Sequence, residues 1–197
     1  MALNSRLPPP PADLATRKLP LVTISGDLFR IHQKLHNWRY FGRNKFERFD
    51  DPHGVFGVLY GSTTADAAFA EVFLRKLASM SVAQADLQSR AVSTFNARPL
   101  KCVERTGSGL RKLSCDNRIS PEKPYRTTHL WSRALFLHPQ QPDGLVYRSR
   151  HNPRFRCLAL FDRCDAKLTD VRSEPLMDPP RRAWCSVQLD RYDLAMT

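Results

Sequence analysis

One glutamate lies in an otherwise apolar run of the chain. Glu71 falls within residues 67–74, where every other residue is apolar, so its carboxylate is a candidate for burial wherever this segment packs. The ordinary structural role would be an exposed i,i+4 pair with Arg75, which stabilises a helix by only about a few tenths of a kcal/mol. A buried carboxylate would instead be placed to stabilise positive charge on a substrate.

An aromatic residue and two arginines precede this glutamate. Tyr60 ends a short apolar segment, residues 55–60, that leads into the same helix, so both side chains can face one cleft. Taken alone, it would be an ordinary half-buried core aromatic. In the preceding loop, residues 36–54, Arg43 and Arg48 are either solvated loop charges or paired donors for a phosphate or carboxylate.

A second polar cluster closes another strand-like segment. Arg148, Ser149 and Asn152 precede Pro153, so they either form a simple turn or direct hydrogen-bond donors into a site. Ser149 lacks a Gly-x-Ser-x-Gly setting, which argues against nucleophilic serine chemistry. Arg30 stands between two apolar neighbours in an extended segment and is expected to face away from them.

The composition limits the classes of protein that fit. Lys and Arg number 31 against 19 Asp and Glu, and the net charge of +12 suits a polyanion, an acidic protein partner or a phosphate-bearing small molecule. Charge alone does not decide among these partners. The five cysteines show no Cys-x-x-Cys spacing and the six histidines are scattered along the chain, so no metal is implied. Glycine-rich dinucleotide and P-loop motifs are absent from the sequence.

The apolar runs and their breakers predict a single α+β domain with a mixed β-sheet core and flanking helices. A flexible, Pro-rich arm is predicted over residues 1–20 and the domain over residues 21–197. Short strands and loops are expected over residues 80–125, which proline and glycine interrupt repeatedly. The other predicted strands are residues 21–32, 55–60, 144–149, 157–161 and 184–189, and the predicted helices are residues 65–78 and 129–137. No apolar run approaches the roughly 18 residues of a membrane span and no secretory pattern is present, so a cytoplasmic protein is expected.

Taken in order, these segments resemble the RES-domain family, which is named after an arginine, a glutamate and a serine. In this sequence those residues would be Arg48, Glu71 and Ser149. Many members have a shorter Gly-Arg-Phe/Trp-Asn form of the first motif, so Arg43 also competes for its role. Arg48 is favoured because Phe-Asp follows it.

The resemblance spans about residues 27–165. The motifs that carry it are Phe29-Arg30-Ile31, Arg48-Phe49-Asp50-Asp51-Pro52, Phe56-Gly57-Val58-Leu59-Tyr60, Ala67-Ala68-Phe69-Ala70-Glu71 and Gly144-Leu145-Val146-Tyr147-Arg148-Ser149-Arg150-His151-Asn152.

The resemblance implies a fold similar to that of ADP-ribosyltransferase toxins and an enzyme that depletes NAD+. Such an enzyme, a NAD+ glycohydrolase or NAD+ phosphorylase, would be the toxin of a type II toxin–antitoxin system with an Xre-type antitoxin as its partner. NAD+ would be its substrate, inorganic phosphate a candidate co-substrate, and no other cofactor would be needed. The implied catalytic residues are Arg48, Tyr60, Glu71 and Ser149, and the implied substrate-binding residues are Arg30, Arg43, Arg148 and Asn152.

The chemistry of this reaction suits those residue types. Breaking the nicotinamide–ribose bond builds positive charge on the ribose, which Glu71 would stabilise. Arg48 and Arg30 would hold the pyrophosphate through paired N–H donors, and Tyr60 would stack on the nicotinamide ring. Nicotinamide leaves as a neutral ring, so no strong general acid is required.

Two other functions stay open at the level of sequence. A mono-ADP-ribosyltransferase would keep the fold and pass ADP-ribose to a protein or nucleic acid. A non-enzymatic basic protein would bind RNA or DNA with steep salt dependence and would not consume NAD+. The favoured interpretation requires neither a membrane nor direct nucleic-acid binding, and it leaves a homo-oligomer open.

Overall fold

Two long paired strands form the centre of the fold. In the computed structural model, which describes residues 8–75, 80–115 and 125–197, β1 (Leu21–Gln33) pairs antiparallel with β4 (Arg90–Glu104) along nearly its whole length. The other strands are β2 (Val58–Ser62), β3 (Ser81–Val82), β5 (Gly144–Arg148), β6 (Arg156–Phe161), β7 (Leu168–Pro175) and β8 (Ala195–Met196). The helices are α1 (Ala65–Phe73), α2 (Gln84–Gln88), α3 (Ser108–Lys112), α4 (Arg126–Phe136) and α5 (Arg181–Arg191), and 3₁₀ turns lie at Leu14–Thr16 and Asp162–Lys167.

The main sheet is mixed and closes on itself. Its strand order is β1-β2-β6-β5-β4-β7, and β1 also pairs with β4, so β1, β2, β6, β5 and β4 form a ring. The pair β4–β5 is parallel and the others are antiparallel. The predicted α+β domain with a mixed sheet and flanking helices is therefore confirmed.

The ring opens where β1 meets β2. In the described chain their register joins Phe29 to Ser62 alone, and Val58, at the start of β2, bridges instead to Gly42 in the loop that follows β1. The two antiparallel strands therefore separate beyond Phe29. A gap results between the second half of β1 and the body of β2.

Helix α1 covers this gap and packs through small residues. Thr64 accepts a hydrogen bond from Ala67 N (3.1 Å) and so caps the first turn. The buried side chains of α1 are those of Ala67, Ala68, Phe69, Ala70 and Phe73. The prediction of a helix at this position is confirmed, although the helix ends at Phe73 and residues 76–78 of the predicted span lie outside the described residues.

The core lies on both faces of the sheet because successive strand residues alternate. Leu145, Tyr147, Cys157 and Ala159 face one cluster, which α4 covers with Trp131 and Leu135, and Val146, Leu158 and Leu160 face the interior of the ring with Leu28 and Leu59. A third cluster joins α1 and α5, where Phe69 packs against Cys185 and Leu189. Within the described residues, no helix is long and apolar enough to cross a membrane.

The described part of the predicted arm, residues 8–20, packs onto the domain. Leu14 and Leu19 are buried in the cluster under α4, and Trp131 Nε1 donates a hydrogen bond to the Pro8 carbonyl (2.9 Å). The prediction of a flexible segment therefore does not describe these residues. Two leucines within a Pro-rich stretch supply enough apolar surface to hold it against the core.

Two predicted elements are wrong in kind. Residues 90–104 form one 15-residue strand instead of short pieces, and Pro99 is tolerated because it lies where the β1–β4 register shifts between Ile24 and Gly26. Residues 184–189 belong to helix α5 and not to a strand, because Cys185, Gln188 and Leu189 bury one helical face. The predicted strand 55–60 begins later, at Val58, whereas the strands predicted at 21–32, 144–149 and 157–161 and the helix at 129–137 are found with small shifts.

Candidate active site

Glu71 lies where two cavities meet. Its side chain is half-buried, and Oε2 accepts a hydrogen bond from the Tyr147 hydroxyl (3.4 Å). Oε1 is buried and has no hydrogen-bond partner among the described residues. Burying an acceptor without a partner is costly, so such an atom indicates a position where a ligand supplies the missing donor.

The ordinary i,i+4 ion pair with Arg75 does not form. Arg75 Nη1 bridges to Glu47 Oε1 (2.8 Å), and Arg75 Nε donates to the backbone carbonyl of Glu71 (2.8 Å). The Glu71 carboxylate is therefore left for the cavities. Arg75 is the side chain that would otherwise neutralise the Glu71 carboxylate. Because Arg75 pairs with Glu47 instead, Glu71 fits the description of a site residue and not that of a surface ion-pair partner.

The larger cavity, about 690 Å³, fills the gap between β1 and β2 and extends under α1. Its volume lies within the roughly 300–1,000 Å³ typical of small-molecule sites. A smaller cavity of about 120 Å³ lies on the other side of Glu71. The residues that line both are Glu47, Tyr60, Glu71, Arg75 and Tyr147.

Arg48 lines the smaller cavity and is buried without a counter-ion in the described part of the chain. It is 7% exposed, and its Nε and Nη1 atoms have no hydrogen-bond partner in the described chain. Its guanidinium lies 5.3 Å from the Tyr147 ring centroid and 5.8 Å from that of Phe49, so aromatic faces compensate part of its desolvation. A buried cation with free donors is an anion-binding position.

A second buried arginine reinforces this charge. Arg105 is fully buried behind Phe49, with its guanidinium 4.9 Å from the ring centroid and its nitrogens unpartnered among the described residues. Burial lowers the pKa of Arg105 to about 9, which still leaves it protonated at neutral pH. Two cations within about 6 Å of one phenylalanine ring make the local potential strongly positive.

Helix α4 holds the loop that presents Arg48. We call residues 42–52 the arginine loop. His129 Nε2 donates to the Glu47 carbonyl (2.8 Å), Ser132 Oγ donates to the Phe49 carbonyl (2.5 Å) and Arg133 Nη1 pairs with Asp51 Oδ1 (3.0 Å). These three helical residues have i, i+3, i+4 spacing and share one face. The helix therefore fixes the backbone on both sides of Arg48.

Arg43 lies in the same loop but outside both cavities. Its Nη2 pairs with Asp162 Oδ2 (2.7 Å), its Nη1 donates to the Val55 carbonyl (3.1 Å), and its side chain is exposed. Gly42 and Asn44, its neighbours, line the larger cavity, whereas Arg43 does not. Of the two candidate arginines, Arg48 is the one that the structure brings to Glu71.

Tyr60 borders both cavities, but its hydroxyl is fully engaged. It accepts from Phe49 N (2.8 Å) and donates to Asp50 Oδ1 (3.0 Å). Burial raises the pKa of Tyr60 well above its usual value, and the neighbouring Asp50 carboxylate adds to that shift. The ring of Tyr60 is available to a ligand, while its hydroxyl fixes the arginine loop.

We call the loop after β5, residues 149–155, the serine loop. Side-chain oxygens of this loop accept hydrogen bonds from its own backbone. Ser149 Oγ accepts from His151 N (3.1 Å) and Asn152 N (3.3 Å), and Asn152 Oδ1 accepts from Arg154 N (3.1 Å). Ser149 is buried and, like Asn152, lines neither cavity. The predicted site residues Ser149 and Asn152 therefore stabilise a turn near the site. Arg150 and His151, from the same loop, line the smaller cavity.

Of the two remaining predicted site residues, one lines a cavity and the other does not. Arg148 lies on the face of β5 opposite Tyr147, its Nη1 donates to the Arg154 carbonyl (3.1 Å), and it lines neither cavity. Arg30 lines the larger cavity, where its Nη1 donates to the Tyr40 carbonyl (2.9 Å). Burial lowers the pKa of Arg30 to about 10, so it remains a cation.

Sequence reasoning missed the contribution of Tyr147. It donates to Glu71, lies beside Arg48 and is almost fully buried. Burial and the adjacent Glu71 charge raise the pKa of Tyr147 well above its usual value, which keeps the hydroxyl protonated and able to donate. The available signal was strand alternation, since Tyr147 shares a face with Leu145 towards the core and the cavities.

Fold and site together define an α+β domain with a positively charged cleft and one partly unsatisfied carboxylate. The chain belongs to the RES-domain family, whose model matches residues 27–184. A curated relative, "Probable toxin y4kH" of Sinorhizobium fredii (strain NBRC 101917 / NGR234), is 32% identical over 101 residues, which cover 51% of this chain and 79% of the relative. A solved structure, the M. tuberculosis MbcT–MbcA toxin–antitoxin complex, matches in fold with a TM-score of 0.61 at 14% identity and covers 84% of this chain and 92% of that chain.

Proposed function

We propose that this protein is the toxin of a toxin–antitoxin pair and depletes NAD+ by cleaving its nicotinamide–ribose bond. Family membership and the printed names of the relative and of the matched complex support the first part. One observation supports the second part. Glu71 lies between two cavities and lines the smaller one together with the buried Arg48, and among the described residues neither Glu71 Oε1 nor Arg48 Nε and Nη1 has a partner.

Glu71 would stabilise the charge that bond cleavage creates. As the C–N bond lengthens, its electron pair leaves with nicotinamide and the ribose becomes positively charged. A carboxylate with one free oxygen, in a site partly shielded from water, interacts with that charge more strongly than with the ground state. The hydrogen bond from Tyr147 to Oε2 would keep Oε1 aimed at the sugar.

The two cavities suit different ligands. Arg30 lines the larger one and would hold the pyrophosphate of the dinucleotide. The smaller one, at about 120 Å³, is too small for a dinucleotide, and its basic residues Arg48, Arg150 and His151 suit an anion such as inorganic phosphate. We therefore favour phosphate over water as the acceptor, because its oxygen would attack the ribose carbon from beside Glu71.

Product analysis tests this function. Purified protein is incubated with NAD+ with and without inorganic phosphate, and the products are identified by mass spectrometry. Nicotinamide with phosphorylated ADP-ribose is the expected outcome, and free ADP-ribose alone would make water the acceptor. ADP-ribose found only on a protein or nucleic acid would favour the transferase alternative. Intact NAD+ after prolonged incubation would contradict the proposal.

The antitoxin would bind over the cavities and occlude them. An Xre-type partner is proposed on the resemblance, and the matched complex supports an antitoxin in general. Expression of the wild-type chain should arrest growth and lower cellular NAD+, and co-expression of a cognate antitoxin should relieve both. Growth arrest with unchanged NAD+ would separate toxicity from this chemistry.

A further inference from the structure

The larger cavity has two halves of different charge. Every carboxylate among its described lining residues lies in one half, where Glu47 pairs with Arg75 (2.8 Å), Asp50 accepts from Tyr60 (3.0 Å) and Glu71 accepts from Tyr147 (3.4 Å). We call this the acidic half. Its carboxylates surround the position proposed for the nicotinamide ribose.

The other half is built from the end of β1 and the start of β4. Arg30, His32, Gln33 and His36 follow one another along the chain there, and Arg90 lies directly opposite Gln33 in the β1–β4 register. No carboxylate of the described chain lines this part of the cavity. We call it the basic half.

Two arginines carry the charge of the basic half at neutral pH. The guanidinium of Arg30 has no carboxylate partner in the described chain and donates to the Tyr40 carbonyl. Arg90 Nε is paired with Asp86 (2.9 Å), an acid outside the cavity lining, which leaves the terminal nitrogens of Arg90 for a ligand. His32 adds no charge, because burial lowers its pKa and Ser93 Oγ lies 2.8 Å from its Nε2.

This charge pattern bears on the adenosine end of the substrate. If the nicotinamide ribose lies at Glu71, the adenosine ribose extends towards the basic half. In Rossmann-type dinucleotide sites a carboxylate binds the adenosine 2′-hydroxyl of NAD+, whereas an arginine accommodates the 2′-phosphate of NADP+. The same complementarity of charge applies to any site that holds this ribose. The basic half supplies arginines and no carboxylate.

We propose that the protein also cleaves NADP+, with Arg90 and His36 receiving the 2′-phosphate while Arg30 holds the pyrophosphate. The inference rests on the proposed function and extends its substrate class. The bond that breaks is the same: its electron pair leaves with nicotinamide, and phosphate or water adds to the ribose carbon, water losing a proton. The second product then carries the additional 2′-phosphate.

Initial rates of nicotinamide release from NADP+ and NAD+ by the full chain, at one ionic strength, test the proposal. The expected kcat/KM for NADP+ is at least equal to that for NAD+. Arg90→Gln should lower the NADP+/NAD+ ratio of kcat/KM by roughly tenfold, since a charge-assisted hydrogen bond to the phosphate is lost. Gln33→Glu should lower it similarly by placing a carboxylate opposite Arg90. Arg182→Gln is the control, because this exposed arginine on α5 lines neither cavity.

The outcomes separate the two proposals. Consumption of NAD+ with a kcat/KM for NADP+ below about a tenth of that for NAD+ would overturn the NADP+ inference and leave the proposed function standing. Consumption of neither dinucleotide would overturn the proposed function. If Arg90→Gln fails to fold, Gln33→Glu decides the assignment. An unchanged ratio in either folded variant removes the 2′-phosphate from the basic half.

Discussion

The arginine loop and the serine loop each carry a residue that the sequence resemblance predicts to belong to the family motif, but they use their polar groups in opposite ways. In the arginine loop, Arg48 is buried with two nitrogens, Nε and Nη1, that have no partner among the residues described, while α4 and Tyr60 supply the hydrogen bonds that fix the loop backbone. In the serine loop, Ser149 accepts two backbone N–H groups of its own turn. Arg48 therefore keeps hydrogen-bond donors that a substrate can use, whereas Ser149 uses its hydroxyl oxygen to hold the conformation of its own loop.

Of the changes that compare the two loops, Arg48→Met is expected to have the largest effect. Replacing it by Met should slow NAD+ cleavage at low phosphate by roughly tenfold to a hundredfold, since a charge-assisted anion contact is lost. The same change should raise the free energy of unfolding by about 1–2 kcal/mol, because a buried cation without a counter-ion is replaced by an apolar chain. Enzyme kinetics and urea unfolding measure the two quantities.

Arg43→Met is the matched control for Arg48. It removes an exposed ion pair with Asp162, so activity should stay within about twofold and stability within about 1 kcal/mol. A larger loss of activity in Arg43→Met than in Arg48→Met would reverse the assignment of the motif arginine.

Tyr60→Phe should act mainly on stability. It leaves Phe49 N without its acceptor and Asp50 without a donor, at a cost of about 1–3 kcal/mol. Burial already raises the pKa of Asp50, so the stability linked to its protonation is present below the unfolded pKa and lost as pH rises through the folded one. Removing the Tyr60 donor should raise that pKa further. Chemical denaturation should therefore show greater destabilisation at neutral than at mildly acidic pH, and equal losses would refute this account of the pair.

Ser149→Ala should have little effect on catalysis. The variant loses an acceptor for two backbone donors, so the free energy of unfolding should fall by about 1 kcal/mol, while kcat stays within about threefold. Steady-state kinetics beside thermal unfolding would check this. A loss of kcat of a hundredfold with an unchanged KM would place Ser149 among the reacting groups and remove the contrast between the loops.

The sequence could predict what depends on local pattern. Glu71 stood out because one carboxylate interrupts an apolar helix, and β1, α1, β5 and β6 follow from runs of apolar residues and their breakers. Local sequence favoured Arg48 over Arg43 but did not exclude Arg43, because the partner that occupies Arg43 is Asp162, 119 residues away. The engagement of Tyr60 with Asp50 and the use of Pro99 within β4 likewise depend on contacts that only the folded chain brings together.

The central claim is that the Glu71 carboxylate stabilises the ribosyl charge during cleavage of NAD+. Nicotinamide release by Glu71→Gln, compared with wild type at saturating NAD+, tests it most directly, because Gln keeps the size of the side chain and removes its charge. The account predicts a fall in kcat of about a hundredfold or more, with little change in thermal unfolding. Turnover close to that of the wild type in the folded variant would contradict it.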